Sequence, residues 1–251
     1  MNGIVNAMKM AISSQEIKDL LREFAEIGLD NFMQDELLKN VPIFNTIATF
    51  YKFGNTLREK KIKDNILRFL LQLEDIELEE RQAFLEKLNS EDKSDRIFEQ
   101  LILLLEKLNE SIKAEMVGNL FRIYVVGKLS RHTFLRCCAI VERAYISDLI
   151  IAYQRFFHII GKQCIDQTPY NSLVDGSIQL SDLNYNLMNL GIISKDLRLL
   201  TDEFKIKHDL GEGELYGASS LNYVGKAIVT YIIYDYNSER FKSYLNQTIV
   251  L

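Results

Sequence analysis

From Ser13 to about Gly161, apolar residues return every three or four positions almost without a break. That is the period of helices with one face turned to a core. Ser13 with Glu16 forms a capping-box signature, and Ile17, Leu20, Leu21, Phe24 and Ile27 follow as a stripe that Gly28 closes. Asp30 opens a short helix through Leu37 and Leu38. Pro42 then sits in the first turn of a third, where its missing N–H costs nothing. This third helix carries Ile43, Phe44, Ile47 and Tyr51 as far as Gly54.

Further helices are expected at Ile62–Leu73, Glu79–Leu88, Ser94–Leu108 and Ile112–Val126, the last stopped by Gly127. Ser130 caps a helix through Phe134, Cys138, Val141 and Tyr145. Ser147 caps another with Leu149, Ile150, Tyr153 and Phe157. No repeat period is visible, so residues 1–165 read as an all-helical bundle rather than a solenoid.

A 29.2 kDa chain can bury roughly 70% of its extended surface, enough for a core without disulfides or metals. Two prolines, 47% apolar and 26% charged residues describe a globular chain. Met1 to Lys9 lacks the basic-then-apolar order of a signal peptide. The longest apolar run, Val41 to Phe53, is broken by polar residues and falls short of a membrane span. Cys137, Cys138 and Cys164 have no disulfide-framework spacing. The expected location is the cytoplasm.

After Gly161 the character changes. Eight of the chain's fourteen Gly and Pro residues fall in the last 91 positions. Phe204 to His208 alternates as a strand does, Gly211-Glu212-Gly213 reads as a hairpin turn into Glu214-Leu215-Tyr216, and a helix runs from Asn222 to about Tyr234. Helix, strand, hairpin and helix make a small α+β module over residues 166–251. The expected fold class is mainly α: a helical bundle followed by a small α+β winged-helix-like module.

Two passages carry a resemblance. Leu187-Met188-Asn189-Leu190-Gly191-Ile192-Ile193 resembles the end of the second helix of a helix-turn-helix and the opening of a wing strand. Leu221-Asn222-Tyr223-Val224-Gly225-Lys226-Ala227-Ile228 is similar to the strand-to-helix step closing many bacterial winged-helix domains. The resemblance covers roughly residues 166–236 and implies a fold rather than an activity. The segment Lys39 to Leu73 and the junction Gly127-Lys128-Leu129-Ser130 resemble helical bacterial proteins of unknown function, which implies no activity.

Winged helices often lay one helix in the DNA major groove. Here that helix is Ser181 to Asn189, with Leu183, Leu187 and Leu190 toward the core and Asp182, Asn184, Tyr185, Asn186 and Asn189 outward. It holds no Lys or Arg. Residues 161–251 carry eight basic and eleven acidic side chains, whereas phosphate neutralisation supplies most DNA affinity. Asn184, Asn186, Lys205 and Lys207 are the candidate DNA contacts, with Glu212 and Glu214 beside the lysines. The local charge favours protein contact instead.

No chemistry is legible. His132, Cys137, Cys138, His158 and Cys164 lack metal-ligand spacing, and no basic pocket for a thiolate shows beyond Arg136. Gly211-x-Gly213-x-x-x-Gly217 is not a phosphate-binding fingerprint. The acidic groups Glu74, Asp75, Glu77, Glu79 and Glu80, then Glu91, Asp92 and Asp95, flank helix junctions, where they favour helix N-termini. Triads assemble across a fold, so catalysis stays open in the sequence. No catalytic, cofactor or metal residue is expected.

Two aromatic stripes remain: Phe44, Phe50, Tyr51 and Phe53, and Tyr153, Phe156 and Phe157. They are either bundle core or the partner-binding surface. The basic residues Arg58, Lys60, Lys61 and Lys63 follow the first. The expected function is a non-enzymatic protein-interaction module: an adaptor, inhibitor or regulator that binds another protein. The alternatives are a DNA-binding winged-helix transcriptional regulator and a peripheral membrane effector of a defence or toxin-like system. Expected partners are another protein, then nucleic acid, a membrane surface or a second copy of the chain.

Overall fold

One helix in the first half is buried on nearly every side, and several others pack against it. The computed structural model describes residues 2–15, 43–44, 57–90, 94–149, 152, 180–198 and 216–234. The chain is mainly α and divides into two compact units, residues 1–142 and 143–251. The boundary expected at 165 lies outside the described residues.

The described helices of the first unit are α1 (Asn2–Ser13), α2 (Leu57–Leu71), α3 (Leu78–Ser90), α4 (Ser94–Lys107), α5 (Ser111–Val125) and α6 (Arg131–Arg143). The last four expected helices of this stretch form within a few residues of their expected bounds, and Ser130 caps α6 by accepting from the Thr133 N–H at 3.1 Å. α5 is the central helix: every residue from Lys113 to Phe121 is buried. α2 lies along it, and α1 packs on α3 and α4.

Phe121 centres the aromatic core. Its ring lies 5.3 Å from Phe69, 5.6 Å from Phe84, 5.8 Å from Phe134 and 6.1 Å from Phe98. These tilted and edge-on pairings suit the ring quadrupoles. Gly118 lets α2 approach, since a Cβ there would stand 2.6 Å from the Phe69 carbonyl oxygen.

Buried charges on α5 are matched. Glu115 pairs with Arg68, which also binds Asp64 at 2.9 Å. Burial opposes the Arg68 charge, but the two carboxylates outweigh it and its pKa is raised. Asn65 donates to the carbonyls of Leu105 and Leu108 at 2.8 and 3.2 Å, satisfying the end of α4. No helix among the described residues is long and apolar enough to cross a membrane.

Three local expectations are corrected. Ser13 does not begin a helix; it ends α1, its hydroxyl donating to the Met10 carbonyl at 3.2 Å. Tyr145 is not on the buried stripe of α6, which stops at Arg143; its side chain is exposed. Ser147 lies inside a helical stretch, residues 146–149, whose first carbonyl is that of Tyr145, accepting from the Asp148 and Leu149 N–H groups. The helices expected over residues 16–38 lie outside the described residues.

In the second unit the described elements are α7 (Leu180–Asn189), β1 (Ile193–Arg198), β2 (Tyr216–Leu221), α8 (Tyr223–Ala227) and a π-helical continuation, Ile228–Tyr234. β1 and β2 pair antiparallel, Ile193 opposite Leu221 and Arg198 opposite Tyr216. The strand expected at Phe204–His208 and the turn at Gly211–Gly213 lie outside the described residues.

Candidate functional site

The two passages that carry the resemblance meet at one corner. The turn after α7 passes through Gly191, whose φ of 76° is left-handed and suited to glycine. The Gly191 N–H reaches the Met188 carbonyl and the Ile192 N–H that of Leu187, both at 2.9 Å. These two bonds form a Schellman motif, with Leu187 and Ile192 fully buried as its apolar contact. The turn delivers the chain into β1.

Asn222, between β2 and α8, ties that turn down. Its Oδ1 accepts from Val224 N–H at 3.0 Å and Gly225 N–H at 2.9 Å, a helix cap. Its Nδ2 donates to the Gly191 carbonyl at 2.7 Å, and its backbone N–H to the Ile192 carbonyl at 3.2 Å. Gly225 allows this approach, because a Cβ there would stand 2.0 Å from the Ile192 oxygen. Asn222 and Gly225 were legible as a step from strand to helix, but not as the clasp holding a second passage thirty residues away.

With Leu187 anchored inward, α7 turns a polar and apolar face to solvent. Tyr185 is 65% exposed and Met188 37%, with Asn186 and Asn189 exposed beside them. Asn184 stands on the same helix. No Lys or Arg occurs from Leu180 to Asn189. Tyr223, first residue of α8, is also exposed, at 54%. Lys205 and Lys207 lie outside the described residues.

No family model, curated protein or solved structure matches this chain. Its own geometry therefore carries the functional reading.

The expected aromatic stripes fare unequally. Phe44 is only 3% exposed, with Ile43 fully buried next to it. It is core and cannot face a partner, because its ring is enclosed by this chain's own side chains. Phe50, Tyr51, Phe53, Tyr153, Phe156 and Phe157 lie outside the described residues. In the basic run after the first stripe, Arg58 pairs with Glu106 and Lys61 donates to Asn109 at 3.2 Å.

Cys137 and Cys138 are buried thiols outside any disulfide. Burial pushes the Cys137 thiol up to about 12, against a small opposing effect of Arg136, and raises Cys138 well above the ordinary range. Both stay protonated near neutral pH and are poor nucleophiles or ligands. His132 is exposed on α6. Among the described residues no group of three His, Cys, Asp or Glu side chains converges to hold a metal. His158 and Cys164 lie outside them.

Of the acidic groups, Glu79 and Glu80 occupy the first turn of α3, and Asp95 that of α4, where it pairs with Lys9. Asp148 is raised above the ordinary aspartate value by burial. Arg81 escaped the sequence reading altogether. On α3, amid acidic and polar neighbours, it reads as solvent-facing, yet it is 1% exposed. Its Nη1 donates to the Ile12 carbonyl at 3.0 Å, closing the end of α1. Its Nε and Nη2 have no partner. Burial lowers its pKa, which Glu77 opposes.

Proposed function

We propose that the chain is a non-enzymatic protein-interaction module, acting as an adaptor, inhibitor or regulator, whose winged-helix-like second unit uses α7 to grip another protein. The order helix, strand, strand, helix over Leu180–Tyr234 and the Asn222 clasp support the winged-helix-like reading. The observation that carries the function is the exposed face of α7: Tyr185, Met188, Asn186 and Asn189 with no basic residue. Tyrosine and methionine are enriched in protein interfaces, and methionine adapts its shape to a partner. A helix without Lys or Arg gains nothing from the counterion release that drives DNA binding.

The test is tagged purification of the full chain from cells, with and without nuclease, beside the double variant Tyr185→Asp/Met188→Asp. Both side chains are exposed, so the variant is expected to melt like the parent. A stoichiometric protein that survives nuclease and is lost from the variant supports the reading. Recovery of DNA alone, lost from the same variant, overturns it and makes α7 a DNA-reading helix.

A further inference from the structure

We draw no further inference here: the strongest candidate, the buried Arg81 guanidinium between α1 and α3, whose Nε and Nη2 have no acceptor, carries nothing, because Glu77, Glu79 and Glu80 set negative charge against an anion at that end of α3 and nothing among the described residues shows an opening to a side chain 1% exposed.

Discussion

The core of the first unit is held by packed apolar side chains, and the Gly191 corner of the second by directional hydrogen bonds to backbone groups. Around Phe121, four phenylalanine rings close on a fifth, and Gly118 brings α2 against α5. At the Gly191 corner one asparagine makes three side-chain hydrogen bonds and one backbone bond, and one glycine admits a carbonyl. Packing of the first kind spreads its free energy over many weak contacts. A clasp of the second kind concentrates it in directional bonds that one substitution removes together. The two regions should therefore fail differently.

The largest effect is expected from Phe121→Ala, which removes the shared ring and leaves a cavity: about 4 kcal/mol of stability, read by urea denaturation. Hydrogen exchange should show the loosening spread over α2, α3, α4 and α6. Protection lost at only one of these helices would break the picture of a shared core. Next comes the clasp. Gly225→Ala drives a methyl into the Ile192 carbonyl and should cost about 3 kcal/mol. Asn222→Ala removes a cap and strands the Gly191 carbonyl, for about 2 kcal/mol. Hydrogen exchange should place both losses at β1, β2 and α8, with α5 unchanged. Faster exchange in α5 would show that the two regions are not independent.

The smallest effect sharpens the contrast from inside the first unit. Arg81 donates one bond to Ile12 and leaves two buried N–H positions without acceptors. Arg81→Met keeps most of the volume and removes the stranded donors, so stability should stay within about 1 kcal/mol of the parent. Arg81→Ala adds a cavity and should cost more. A large loss in Arg81→Met would mean that the bond to α1, and not packing, holds that helix in place.

The legible parts were those in which local pattern and tertiary burial agree. Ile97, Leu101, Leu105 and Leu108 keep a helical spacing and are all buried. Gly127 and Ser130 announced the stop and start they make. α1 was not expected although Ile4, Val5, Met8 and Ile12 share one face, because it has neither an acidic first turn nor a basic last turn to mark its ends. Tyr145 fits the period of α6 and still falls off it, since the helix ends two residues earlier. The α7 face was legible in part: its lack of Lys and Arg is plain in the sequence, whereas the exposure of Tyr185 and Met188 is not.

The amino-acid order alone determined the helical class of the first half, the acidic balance, and the Gly and Asn positions that end and begin elements. These follow from nearest neighbours along the chain: periodicity, caps and backbone freedom. Tertiary structure decided which polar groups would be buried and with what. Arg68 meets Glu115 from 47 residues away, Arg81 meets the carbonyl of Ile12, and Asn222 reaches back to Gly191. Such pairings depend on where helices cross, and a crossing is set by the packing of whole faces rather than by any residue's own neighbours.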